Sequence, residues 1–238
     1  MLLEGARVLD EALDAGLVPD FVLHAPETDA KCARVLARAR ESGLDCLAIE
    51  AKLLSEGSDL DAPSDVVAVA ARPDLAAREL IADCAQANGM LLVAAGVQDP
   101  GNVGALIRVA AGLGAHGALF LQGGASPWHP RALRGASGTS FRLPVADGLS
   151  LDEFIELTAE HALPIWITAA DGGSYRNLDR AGQACALVLG EEGGGVPSSL
   201  RAAAAQSVGI PLLRGIESLN VATAAAVLVA ALVGGGDV

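Results

Sequence analysis

Three short stretches, far apart in the chain, carry more polar and charged chemistry than packing requires. The first is VQDPGNVGALIR, residues 97–108. Asp99, Pro100, Gly101 and Asn102 read as a turn in which Pro and Gly fix the backbone and Asn102 caps the helix after it. That leaves Arg108, a guanidinium on an otherwise apolar helix, which must be paired, snorkelling or functional. The second is LVLGEEGGGVP, residues 187–197. Its glycines let backbone amides and carbonyls approach a ligand, and Pro197 opens a helix. It is not a phosphate cradle: no Lys-Ser/Thr follows the glycines, no GxGxxG is present here or near Gly101, and Glu191 and Glu192 repel phosphate. A ligand with a positive or neutral face suits it, with a plain flexible loop as the alternative. The third is IPLLRGIESLN, residues 210–220. One of Ser218 and Asn220 caps the next helix; the other keeps hydrogen-bonding capacity for loop backbone or for a bound ligand.

These stretches need strands and helices to hold them. Up to residue 70 the chain alternates ARVLDEALDAG (helix), FVLHA (strand), DAKCARVLARARESG (helix), CLAI and VVAVAA (strands), a small α/β unit. A boundary falls near residue 73, and residues 74–89, DLAARELIADCAQANG, read as a polar connecting helix. From residue 90 to 238 the order is LLVAAGV strand, QDPGNVG turn, ALIRVAAGLGA helix, GALFLQGG strand, LDEFIELTAEHA helix, PIWITAA and ACALVLG strands, SSLRAAAAQ helix, VGIP strand and a final helix. Continuous apolar strands imply a mostly parallel sheet covered on both faces, with active-site loops at its carboxyl ends. All three stretches sit at such strand ends.

At 238 residues the chain has room for two modest domains, and 52% apolar residues fits a globular protein. No apolar run reaches the roughly 18 to 20 residues of a bilayer span, and LLEGARVLDEAL after Met1 is no secretory signal, so a cytoplasmic protein without membrane contact is expected. Cys32, Cys46, Cys84 and Cys185 are scattered among apolar residues without metal-ligand spacing, which reads as reduced core cysteine and no metal. The net charge of −13 argues against an extensive phosphate-binding surface. It is uneven: residues 1–86 hold 17 acids against 8 bases and the remainder 12 against 8, so an anion-binding surface belongs to the second part.

Together and in this order, the three stretches resemble the motifs of SpoU-type RNA 2′-O-ribose methyltransferases, the TrmH branch of the SPOUT superfamily. The first motif's Asn and Arg match Asn102 and Arg108; the second's Gly-x-Glu-Gly matches Gly190, Glu192 and Gly193; the third's Ile-Pro and Ser-Leu-Asn match Ile210, Pro211, Ser218, Leu219 and Asn220. HPRALRGASGTSFRLP is similar to a fourth family segment at Pro130, Arg131, Arg134, Ser137 and Gly138. The likeness covers residues 88–233, and EGARVLDEALDAGL is more loosely similar to the opening of the family's amino-terminal substrate-binding domain. Two departures stand out: Leu212 and Arg214 occupy the places of a usual Met and Gly, and Glu191 that of a usual Asn.

The resemblance implies a homodimer whose carboxyl-terminal domain, residues 90–238, is tied in a deep trefoil knot behind a small α/β RNA-binding domain at residues 1–73. It implies S-adenosylmethionine bent among the knot loops near Leu189, Gly190, Gly193, Ile210, Leu212 and Leu219, and catalysis by Asn102, Arg108, Glu192, Ser218 and Asn220. In that frame Arg108 is a better clamp than base, its pKa lying above about 12. Glu192 either takes a proton or fixes Asn102 or Arg108. Arg131, Arg134 and Arg142, with no acid nearby in sequence until Asp147, and Ser137 are the expected RNA contacts, with ribosomal ahead of transfer RNA. The uncharged final helix is expected in the knot and dimer interface. The rival readings are a non-catalytic SPOUT-fold protein that binds RNA or cofactor, and a nucleotide-dependent oxidoreductase, which lacks its glycine fingerprint here.

Overall fold

The computed structural model describes residues 1–58, 60, 62–177, 182–191 and 193–233. Its first part is a four-stranded sheet of β1 (Leu2–Glu4), β2 (Phe21–His24), β3 (Cys46–Ala48) and β4 (Val66–Val69), with helices α1 (Ala6–Asp14), α2 (Ala30–Glu41) and α3 (Ala51–Glu56). The strand order is β1-β4-β2-β3; β4 runs antiparallel to both neighbours, and β2 and β3 are parallel. The sheet is therefore mixed. Neither β1 nor α3 is signalled by the sequence, because three and six residues are too few to establish a period. Leu3 and Val22 from the strands, Val8 and Leu9 from α1, and Val35 and Leu36 from α2 form the core of this part. Asp29 caps α2 by accepting the Cys32 N–H at 2.7 Å.

The second part is a six-stranded sheet, parallel throughout the described residues: β5 (Met90–Ala94), β6 (Gly117–Leu121), β7 (Val145–Leu149), β8 (Ile165–Ser174), β9 (Cys185–Leu189) and β10 (Gln206–Gly209), in the order β10-β8-β9-β5-β6-β7. Around it lie α4 (Ala77–Gln86), α5 (Pro100–Gly112), α6 (Pro130–Ala136), α7 (Leu151–Glu160), α8 (Ser198–Ala203) and α9 (Val221–Val233). Strand β5 shows why these strands read as continuous apolar runs. Met90, Leu92 and Ala94 join the core with α5, α6 and α9, whereas Leu91, Val93 and Ala95 join the opposite core with α4, α7 and α8.

Four local expectations change. Asp99-Pro100-Gly101-Asn102 is the start of α5, not a turn before it: Asp99 is the N-cap, accepting the Gly101 N–H at 2.9 Å, and Pro100 takes the first helical position. Asn102 thus sits inside the first turn, and the cap is Asp99. Helix α4 is not polar on every face, because Leu80, Ile81 and Cys84 are buried beneath the parallel sheet. Strand β10 ends at Gly209, so Ile210 and Pro211 leave the sheet; proline has no N–H to give a ladder. Helix α6, absent from the sequence-based order of elements, packs tightly on α5, where a Cβ on Gly104 would come 2.8 Å from the Ala136 nitrogen.

One apolar core runs through both sheets, from Leu3 and Val35 to Val103 and Leu133. Polar contacts reinforce the junction: Arg142 pairs with Glu11, and Arg134 donates to the Ala62 carbonyl at 3.2 Å.

Candidate functional site

The site forms where β5, β8, β9 and β10 end. After β9 the chain turns tightly, with Glu191 and Gly195 exchanging backbone hydrogen bonds at 3.2 and 2.9 Å. A Cβ at Gly190 would overlap the Gly195 backbone, so this hairpin needs glycine for close approach. The loop after β10 runs from Ile210 to Asn220 and delivers the chain to α9.

Asn220 does two jobs. Its Oδ1 accepts the N–H groups of Ala222 and Thr223 at 3.0 and 3.3 Å, capping α9. Its Nδ2 donates to Oδ1 of Asn102 at 2.9 Å, joining the first stretch to the third across 118 positions of sequence. The amide is therefore the cap, and the Ser218 hydroxyl is the spare group, exposed at the edge of a cavity.

That cavity has a volume of about 710 Å³. Its walls come from the loop after β9 (Gly193, Gly194, Gly195), the loop after β10 (Ile210, Pro211, Leu212, Ile216 to Leu219), and the middle of β8 (Thr168 to Asp171), with Ala224 and Leu228 of α9 behind. Small-molecule sites commonly span about 300–1,000 Å³ with apolar walls and a few polar groups, and this one fits that description.

Of the residues anticipated from sequence, Gly193, Ile210, Leu212, Ser218 and Leu219 line the cavity, and Asn102 and Asn220 are bonded to each other beside it. Leu189 and Gly190 do not line it: Leu189 is buried in β9 with its carbonyl taken by the Ala95 N–H, and Gly190 packs on Gly195. Glu192 lies outside the described residues. Arg108 is exposed, lines no wall of the cavity and has no ion pair among the described residues; it stands about 9 Å further along α5 than Asn102.

The expected RNA contacts fare differently again. The sequence around Arg131, Arg134 and Arg142 offers no nearby acid, yet the fold supplies one to two of them. Arg142 pairs with Glu11, Arg131 lies 4.0 Å from Asp99, and Arg134 holds the Ala62 carbonyl. Ser137 ends α6 in the left-handed conformation, φ 55°, with its N–H on the carbonyls of Leu133 and Arg134.

Sequence reasoning misses the β8 wall, Thr168 to Asp171, and Arg201, which reaches Asp171 at 3.4 Å. The signal is present: PIWITAA is followed at once by Asp171-Gly172-Gly173, the same change from apolar strand to polar and glycine residues that marks the other loops.

A parallel sheet covered by helices on both faces, with a cavity where loops from several strands converge at the carboxyl edge, defines an α/β ligand-binding or catalytic protein. Residues 89–230 match the model of the SpoU rRNA Methylase family, and the chain belongs to that family. It is 30% identical over 229 residues to the 23S rRNA (guanosine(2553)-2′-O)-methyltransferase RlmP of Bacillus subtilis (strain 168), covering 96% of this chain and 86% of that protein. Among solved structures it is similar to the SpoU methyltransferase AviRb from Streptomyces viridochromogenes in complex with the cofactor AdoMet, at 26% identity and a TM-score of 0.85 over 98% of this chain and 89% of that one. It is also similar to an RNA 2′-O ribose methyltransferase, at 28% identity and a TM-score of 0.78 over 97% of this chain and 86% of that one.

Proposed function

We propose that the protein transfers a methyl group from S-adenosylmethionine to a ribose 2′-hydroxyl of RNA, ribosomal ahead of transfer RNA. The observation that carries this reading is the Asn102–Asn220 bond beside a cavity walled by Gly193–Gly195, Ile210–Leu212 and Ile216–Leu219: the three sequence stretches meet at one place. The donor set fits the cofactor. Glycine backbone, the Ser218 hydroxyl and the Leu212, Ile216 and Leu219 side chains offer hydrogen bonds and apolar contact without a cluster of cations, as a neutral adenine and a sulfonium require.

The bound cofactor would supply an electrophilic methyl on a sulfonium. This chain's part is alignment, which contributes effective molarities on the order of 10⁵ M or more when reacting atoms are held in line. The loops after β9 and β10 bind the donor, Asn220 locks the second of them to α5 through Asn102, and Ser218 orients a neighbouring group. Arg108 clamps a phosphate or the developing alkoxide, and Glu192 accepts the hydroxyl proton or fixes Asn102 or Arg108.

In this reading residues 1–73 form the RNA-binding domain, 74–89 the link and 90–238 the catalytic domain, knotted at its carboxyl end. The return of α9 from the β10 edge to pack on α5 supports the knot. The protein works as a cytoplasmic homodimer. Helix α9 carries no charge and leaves Thr223, Ala230 and Ala231 exposed, a face suited to a second copy, and the four cysteines form no disulfide among the described residues.

The test is a map of ribose methylation in RNA from cells with and without the gene, complemented by wild type or Arg108→Ala. One modified ribose lost with the gene and restored by wild type alone establishes the activity and the target. An unchanged map, together with no calorimetric heat on adding S-adenosylmethionine, overturns the reading.

A further inference from the structure

Four non-glycine residues among those described have left-handed backbone: Asn88, Ser137, Ala162 and Arg214. The first three close helices α4, α6 and α7, where a left-handed residue satisfies the last carbonyls; Asn88, for instance, donates its N–H to Ala85. Arg214 ends no helix. It sits with φ 60° beside Gly215, φ 71°, at the centre of a tight turn closed by the Ile216 N–H on the Leu213 carbonyl at 3.3 Å. A turn with positive φ at both central residues selects Gly or Asn, because a side chain with a Cβ is strained there. An arginine held in such a place is an outlier in need of a reason.

The surroundings supply one. Leu212, Ile216, Glu217 and Ser218, on either side of the turn, line the cavity, and Arg214 itself is exposed with no ion pair among the described residues. Among the described residues that line the cavity, Arg201 is paired with Asp171 and Glu217 adds negative charge, as does Glu191 nearby; Arg108, also without an ion pair among the described residues, lines no wall. The arginines of the 130–142 segment are engaged with Asp99, Glu11 and the Ala62 carbonyl. A polyanion brought to this mouth needs a cation there.

We propose that Arg214 binds a backbone phosphate of the substrate RNA at the mouth of the cavity and so sets the strand in register with the methyl donor. This rests on the methyltransferase reading and adds a contact to it. The guanidinium forms a bidentate, charge-assisted pair with one phosphodiester, and the strained turn keeps the side chain at the rim.

Arg214→Gly is the informative variant, because glycine relieves the backbone while removing the charge. The probe is an in vitro transcript of full-length 23S rRNA, with binding measured from low to moderate salt. The slope of log K against log [salt] becomes shallower by about 0.7–0.9 and low-salt affinity falls several-fold, roughly up to tenfold. S-adenosylmethionine affinity, thermal midpoint and oligomeric state stay at wild-type values, and KM for RNA rises more than kcat falls. Arg214→Lys retains the salt slope.

Wild-type affinity and slope in Arg214→Gly overturn the proposal. So does a variant that loses cofactor binding or changes oligomeric state, since Arg214 would then belong to the loop or to an interface. Absence of salt-dependent RNA binding by the wild type overturns it as well. Failure of the methyltransferase reading shows separately, as a wild-type protein that takes up no S-adenosylmethionine.

Discussion

The loops at the carboxyl edge of the six-stranded sheet and the segment from Pro130 to Arg142 are both rich in groups able to hold a ligand, and the fold treats them in opposite ways. The loops are brought together from three parts of the chain, yet they leave the Ser218 hydroxyl, Leu213 and Ile216 exposed. The arginine segment is short and local, yet its cations are taken up by the chain's own acids and carbonyls. A polar group left spare by the fold is a stronger sign of a ligand than a charge a motif places, because the fold answers charge wherever it can. The engagement of Arg142 by Glu11 is nonetheless a weak barrier: the arginine side chain is 57% exposed, and exposed ion pairs contribute little.

Substitution at Gly190 separates the two regions most sharply. Gly190→Val forces a side chain into the Gly195 backbone, which costs about 1–3 kcal/mol of loop packing. Calorimetry is expected to show S-adenosylmethionine affinity down by about 10- to 100-fold. Retained affinity would remove the hairpin after β9 from the site.

Asn220→Ala comes next, because it deletes both the α9 cap and the bond to Asn102. Loss of the cap lowers stability by about 1–2 kcal/mol in denaturant titration. Asn102→Ala keeps the cap and removes the bond. If the bond positions the site, both variants lose activity and only the first loses the cap's stability.

A smaller effect is expected from Glu11→Gln, which frees Arg142. If the pair is a placeholder for RNA, filter binding at low salt strengthens by about two- to threefold with a steeper salt slope. If it only fastens the two sheets together, affinity is unchanged and the thermal midpoint falls.

The smallest effect concerns Cys32, in the first turn of α2 in the four-stranded part. Burial first, then its hydrogen bond with Asp29, pushes the thiol up to about 11. Only the thiolate reacts, so modification of Cys32 is slow at pH 8 and accelerates about tenfold per pH unit up to that value. A raised thiol pKa contributes stability that is present below the ordinary thiol range and lost as pH rises through about 11. The four-stranded part should therefore loosen between those limits. Rapid labelling at pH 8 would show that this part opens readily, unlike the parallel sheet.

Much of the fold is legible in the chain. Continuous apolar runs predict β5, β6, β8 and β9 because both faces of the parallel sheet are buried, and Gly stops mark α1 and α2. The mixed order of the first sheet is not legible, since strand direction depends on which edge each short strand finds. Of the site, the polar strand ends point to the cavity loops, whereas the Asp-Gly-Gly in the second half of β8 carries the same signal without a motif to single it out. The helix start at Asp99 reads as a turn because Asp-Pro-Gly serves both equally well in a local reading.

The amino-acid sequence alone dictates which segments are strands covered on both sides and which strand ends carry chemistry, because burial and turn formation act through neighbours in the chain. It took packing in three dimensions to bring Asn220 to Asn102 and Glu11 to Arg142, and to leave Arg214 without an ion pair among the described residues. The two pairs join residues more than a hundred positions apart, and packing sets such distances with no mark in local sequence.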